Sequence, residues 1–302
     1  MGEAEPVERM NAREGIGALH ADAPGAEQRR RLVPAVASVL VVVAIVIALI
    51  VVKTFGSSPS PSAGASATTS QASSVTSQLT GVPASTLDLV GKGQTVPLRA
   101  TSGQKLLTFG AKPQVLYMGA EYCPYCAAER WAMVVALSRF GTFSNLQFIH
   151  SASTDVYPST PTLTFYGSGY TSKYVAFKPV ELYGRVARGT SYPKLEIPTS
   201  AETAIMAKYD APPFVPSADR GGFPFLDIGN QYVTVGSQFS PGILAKLTWS
   251  EAAAAIRNPA SPIARQVDGA ANSITAAICK ITKDSPAAVC GSAGVKAAAG
   301  DL

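Results

Sequence analysis

The sequence predicts an α/β fold carried outside a membrane by one spanning helix. Three observations point there: an uncharged apolar run at 32–52, a strand at 114–120 that turns into a cysteine-bearing helix, and a second apolar strand at 146–152 behind it. At 302 residues the chain has room for one or two domains plus accessory segments. Apolar residues make up 47% and charged ones 15%, thin for a wholly water-exposed protein. The net charge of +5 comes without a basic run interleaved with aromatics, so no nucleic-acid partner is expected. No Ser/His/Asp set, phosphate loop or nucleotide fingerprint occurs, and no cofactor is expected.

Residues 1–31 carry five basic and six acidic side chains without an apolar stripe and read as a disordered cytoplasmic tail. Leu32 to Val52, LVPAVASVLVVVAIVIALIVV, is long enough to cross a hydrocarbon core of roughly 30 Å as a helix. A signal peptide has a shorter apolar region, of about 7–15 residues, and a shorter lead. Arg29, Arg30 and Arg31 abut its N-terminal end and only Lys53 follows closely, so the positive-inside bias keeps the N-terminus in the cytoplasm and the rest outside. The expected location is the cell membrane, single-pass. Residues 53–85, dominated by Ser, Thr, Ala, Gly and Pro, read as a linker, and 86–302 as the folded extracytoplasmic domain.

Within that domain QVLYMGA at 114–120 is a buried strand, and Cys123 to Phe140 a helix with Pro124 in its first turn and Gly141 as its stop. Cys126, Met133, Leu137 and Phe140 give the helix one apolar face for a sheet. LQFIHSA at 146–152 is the next strand. Residues 153–222 read as an insertion: a hairpin with arms on either side of Gly167–Thr171, then a helix at 201–209. Its aromatics Tyr166, Tyr170, Tyr174 and Phe177 suit a core, or a peptide-binding surface. SPGILAKL and SEAAAAIRN suit a terminal helix, with Thr248 and Glu251 spaced as a capping box.

Cys123-Pro124-Tyr125-Cys126 places the first sulfur at a helix start, where unpaired N–H groups and the helix dipole favour a thiolate. Two intervening residues let Cys126 reach back and resolve a mixed disulfide formed at Cys123. The same spacing serves zinc knuckles and static disulfides. Zinc would draw on His150, Cys279 or Cys290, and no metal is expected; the strand-CxxC-helix context favours exchange. Glu129 is a candidate proton acceptor for Cys126, although Glu121 and Glu129 both read as solvated residues by type. Arg130 reads as a hydrated neighbour of a core Trp131, and His150 as a histidine in a polar niche. Cys279 and Cys290, flanking ten residues that include Pro286, suit a structural disulfide, or a relay to the first pair.

Gly222-Phe223-Pro224-Phe225-Leu226-Asp227-Ile228, followed by Gly229-Asn230 and QYVTVG, resembles the thioredoxin-fold pattern of a cis-proline opening a strand, a tight turn and a partner strand. With YMGAEYCPYCAAERWAMVVALSRFG, TPTLTFYGSGYTSKYVAF and ICKIT…PAAVC, the chain over roughly residues 80–292 resembles the membrane-anchored thioredoxin-like family known as domain of unknown function 929. The resemblance implies a thioredoxin-like fold with a long β-hairpin/helix insertion, and it sets Pro224 beside the CxxC sulfurs. Pro124, Tyr125 and Phe223 would then line a substrate groove. The expected function is a membrane-anchored thiol–disulfide oxidoreductase in which Cys123 attacks and Cys126 resolves. Its partners would be protein thiols or disulfides of envelope or exported proteins, and a membrane redox partner. The alternative is a non-enzymatic thioredoxin-like binding or assembly module with structural cysteines.

Overall fold

The first element among the described residues falls where composition argued for a linker. A computed structural model describes residues 68–302; the tail, the apolar segment 32–52 and the linker up to residue 67 lie outside the described residues. Helix α1 (Thr69–Thr80) is held at its start by Thr68, which accepts from the Gln71 N–H while the Gln71 side chain returns to the Thr68 N–H. Val75 and Leu79, one turn apart, are fully buried. The linker reading is therefore corrected over residues 68–85, because two anchors at helical spacing disappear in a Ser/Thr-rich composition. The helix end is tied down by Arg257, whose guanidinium donates to the Gln78 carbonyl at 3.0 Å.

After α2 (Ala84–Val90) come β1 (Arg99–Ala100), β2 (Thr108–Phe109), β3 (Lys112–Gly119), α3 (Pro124–Ser138), β4 (Gly141–Ser144), β5 (Gln147–His150), β6 (Pro161–Thr164), β7 (Gly169–Ser172) and β8 (Ala176–Glu181). Then follow α4 (Ser200–Tyr209), β9 (Phe225–Ile228), β10 (Tyr232–Val235), α5 (Trp249–Ile256), α6 (Pro262–Ile281), α7 (Ala287–Cys290) and α8 (Ala293–Ala299). Among the described residues no helix is long and apolar enough to cross a membrane.

The main sheet is mixed. β3 pairs antiparallel with β9 on one side and parallel with β8 on the other, β10 and β1 extend it beyond β9, and β2 caps the start of β3. Met118 lies opposite Phe225, so Pro224 is held at the end of β3 that leads into the CxxC turn.

The strand expected at 146–152 is present as β5, which pairs with β6 in a separate ribbon, while the parallel partner of β3 is β8. One expectation is corrected here: the arms around Gly167–Thr171 do not form a hairpin, since β7 pairs with β4. Aromatic packing accompanies the pairing of β4 with β7. Phe143 of β4 meets Tyr170 of β7 at 4.9 Å between ring centroids, Phe165 meets Phe177 at 4.9 Å, and the Tyr170 hydroxyl donates to the Leu137 carbonyl at 2.9 Å. Tyr170, Tyr174 and Phe177 thus pack against the core, while Tyr166 stays 45% exposed. The helix expected at 201–209 is present as α4.

Helix α3 is buried on every side from Cys126 to Leu137 instead of along one face, because α6, α1, β4 and β6 all pack against it. SPGILAKL makes only a short 3₁₀ turn, and it is α6 that packs along α3. Its row of Val267, Ala270, Ala271, Ile274 and Ile278 supplies the apolar stripe. The capping box of Thr248 and Glu251 forms at the start of α5. Cys279 and Cys290 are joined by a disulfide, with their Cα atoms 5.6 Å apart.

One buried group predicts a pH response. Asp268, mid-way along α6, is fully buried with neither carboxylate oxygen hydrogen-bonded, and burial pushes its pKa up to about 8 against the opposing charge of Arg139. Between the unfolded value of about 3.9 and that folded value, the folded chain holds a proton that the unfolded chain has lost. Its contribution is therefore complete at low pH and declines by about 1.4 kcal/mol per pH unit as pH rises toward about 8. Asp268→Asn is expected to remove this decline, read as the wild-type minus variant difference in urea unfolding free energy between about pH 5 and 8. A difference that stays constant across that range would show that Asp268 is ionised in the folded state.

Candidate functional site

Cys123 is the N-cap of α3, and its sulfur accepts from the Cys126 N–H at 3.4 Å. Pro124, which has no N–H to leave unpaired, occupies the first helical turn. The Cys123 thiol lies 3.8 Å from the Phe223 carbonyl, and the Phe223–Pro224 bond is cis. Pro224 is thus brought to the cysteine pair across about a hundred residues of sequence by the pairing of β3 and β9. Both cysteines are free thiols.

The two sulfurs have different surroundings. Cys126 is fully buried, with the Ala120 N–H at 3.5 Å from its sulfur. Cys123 is 7% exposed, and that exposure opens onto a cleft of about 740 Å³ lined also by Pro124, Tyr125, Phe214, Phe223 and Val235. A hydrogen bond from the Cys126 thiol is the main influence holding the Cys123 pKa below the ordinary thiol range. Burial opposes it, and the Cys126 and Tyr125 amides and the Arg130 charge assist. Burial pushes the Cys126 thiol well up, and its neighbour Cys123 adds to the rise. At neutral pH the arrangement therefore offers one accessible sulfur inclined to ionise and one hidden sulfur that stays protonated.

Behind the pair sits a buried ion pair. Arg130 binds Glu181 in bidentate fashion, Nε to Oε1 at 2.8 Å and Nη2 to Oε2 at 2.7 Å, with both side chains fully buried. Nη2 also donates to the Ala120 carbonyl at 2.9 Å, and the Phe165 N–H donates to Glu181 at 3.2 Å. Arg130 was expected to be hydrated; it is instead fully buried, held in the interior by Glu181 and the Ala120 carbonyl.

The reading of Glu121 and Glu129 as solvated is likewise corrected. Glu121 is 6% exposed with its pKa raised by burial, and Arg185 approaches it at 3.9 Å. Glu129 is fully buried and raised to about 7 by burial. Its carboxylate accepts from the Gln238 N–H at 2.9 Å and makes no direct hydrogen bond to either sulfur. His150 is buried against the Trp249 ring at 4.3 Å, and Trp131 is fully buried with its indole N–H donating to the Pro161 carbonyl at 2.9 Å.

Sequence reasoning missed Glu181 and Tyr117. The one signal for Glu181 was a lone carboxylate closing an apolar strand; Tyr117 sits unmarked among apolar neighbours. The second cysteine pair is remote from the first. Ile281, two residues beyond Cys279, packs against Gly229, and the Gly229 N–H donates to Gln114 at the start of β3, the end opposite the CxxC turn. From Gln114 to Gly119 the strand rises roughly 17 Å. Among the described residues no three metal-ligating side chains cluster.

A family model described as a domain of unknown function matches residues 100–280. No curated protein and no solved structure matches the chain.

Proposed function

The chain belongs to the family described as Domain of unknown function (DUF929), and from the geometry of its cysteine pair we propose that it is a membrane-anchored, extracytoplasmic thiol–disulfide oxidoreductase with a thioredoxin-like core. The observation that carries the proposal is the asymmetry of the two thiols: Cys123 lowered and facing a cleft, Cys126 raised and buried. The strand order β8-β3-β9-β10, with the CxxC helix after β3 and Pro224 before β9, supports the thioredoxin-like reading. A purely structural module needs no such difference between neighbouring thiols. The apolar run 32–52 supplies the anchor and Arg29–Arg31 the orientation in this reading.

In the reductive direction the Cys123 thiolate attacks a substrate disulfide. A Cys123–substrate S–S bond forms, and the distal substrate sulfur leaves with the electron pair and takes up a proton. Cys126 then displaces the second substrate sulfur from Cys123. The enzyme pair is oxidised by two electrons, the substrate gains two electrons and two protons, and a membrane redox partner restores the dithiol. The oxidative direction reverses each step. Cys123, Pro124, Tyr125 and Phe223 line the cleft in which the substrate cysteine would lie.

The spacer Pro124-Tyr125 carries no histidine to stabilise the thiolate further, so the couple is expected to be more reducing than about −120 mV, the value of the strongest periplasmic oxidants. Equilibration of the chain in glutathione buffers, with free Cys123 counted by alkylation and mass spectrometry, reads that potential. A cysteine pair that does not titrate as a two-electron couple sinks the proposal.

A further inference from the structure

Resolution of a mixed disulfide requires the hidden sulfur, Cys126, to carry negative charge where water does not reach it. The groups available to stabilise that charge come from the elements packed around it. The Ala120 N–H is aimed at the sulfur. The Arg130 guanidinium lowers the pKa of both thiols. The third is the Tyr117 hydroxyl. Tyr117 and Gly119 share one face of β3, and a Cβ at Gly119 would collide with that hydroxyl while standing 3.1 Å from the Cys126 sulfur. Gly119 has no positive φ to explain its choice, so its role is spatial: it lets the phenol lie under Cys126.

The hydroxyl is fully buried and has no hydrogen-bond partner, a costly state for a phenol. Its ring is fixed edge-on to Phe165 at 5.2 Å, with the Arg130 guanidinium carbon 5.8 Å from its centroid. Phenylalanine would pack there equally well and avoid the orphaned O–H.

Building on the oxidoreductase reading, we propose that Tyr117 is the donor for the resolving step, its O–H turning onto Cys126 as that sulfur becomes anionic. In that step the Cys126–Cys123 S–S bond forms and the Cys123–substrate S–S bond breaks. The substrate sulfur leaves with the electron pair and takes up the proton that Cys126 gives up. The phenol keeps its own proton throughout and, with the Ala120 amide and Arg130, holds the charge.

The test is Tyr117→Phe in the full chain, reacted with dithiobis(nitrobenzoate) in a stopped-flow instrument. Attack by Cys123 releases a first equivalent of thionitrobenzoate, and resolution by Cys126 releases a second. The first phase is expected to match wild type. The second should slow by about tenfold or more, with the midpoint of its pH dependence moved upward, and the melting temperature should be unchanged or higher. A second phase within twofold of wild type overturns the inference and leaves the oxidoreductase reading standing. So does a slowed phase with an unmoved midpoint or a lowered melting temperature, which marks a packing effect. Wild type with no first phase overturns the oxidoreductase reading itself.

Discussion

Cys123→Ser is expected to abolish thiol–disulfide exchange, with a loss of at least about 10³-fold, because a serine hydroxyl does not ionise near neutral pH and cannot form the mixed disulfide. The variant should fold normally: serine is a good N-cap and retains an acceptor for the Cys126 N–H. Cys126→Ser should behave differently. It keeps the attacking sulfur and removes the one that resolves, so adducts of Cys123 with its clients accumulate and can be isolated from intact cells under denaturing, non-reducing conditions. Retention of full cellular function by the double serine variant would favour an anchored binding module over an enzyme.

The second large effect is on stability. Arg130→Met and Glu181→Gln each strip a partner from a fully buried, bidentate ion pair. Each is expected to lower the unfolding free energy by about 3–5 kcal/mol, because the surviving charge has neither water nor counter-ion. Replacing both residues together, Arg130→Met with Glu181→Leu, should recover much of that loss, although the Phe165 N–H then loses its acceptor. Urea unfolding of the three variants gives the comparison, and two single variants each within about 1 kcal/mol of wild type would refute it. Arg130 also favours the Cys123 thiolate, so its removal should raise the pH midpoint of Cys123 alkylation. The same substitution thus reads out fold and chemistry separately.

What could be read from the sequence was what short segments decide by themselves. The CxxC at a helix start, the strand before it, helix α4 and the Thr248–Glu251 capping box each rest on local rules of turn chemistry and periodicity. Strand partners do not. β5 and β7 are short strands whose partners are not set by local pattern: β7 joins β4 where Tyr170 meets Phe143, and β5 joins β6 in a separate ribbon. Glu129 and Arg130 are buried beside partners distant in sequence, Gln238 and Glu181, so residue type alone pointed to the wrong side of the surface. Helix α1 was hidden for the opposite reason: its composition is that of a spacer, and two anchoring side chains decide its state.

The Cys279–Cys290 bond lies at the remote end of β3, away from the free cysteine pair. If the first pair opens and shuts as proposed, a closed stitch and a cycling pair share a single chain, and their separation means that exchange between them would need a second molecule as courier. The same separation operates before folding. Closing the short loop between Cys279 and Cys290, 11 residues apart, is favoured by about 2 kcal/mol of chain entropy over joining Cys279 to Cys126, some 150 residues away. Each cysteine therefore meets its neighbour in sequence first, and scrambling is discouraged from the moment the chain emerges.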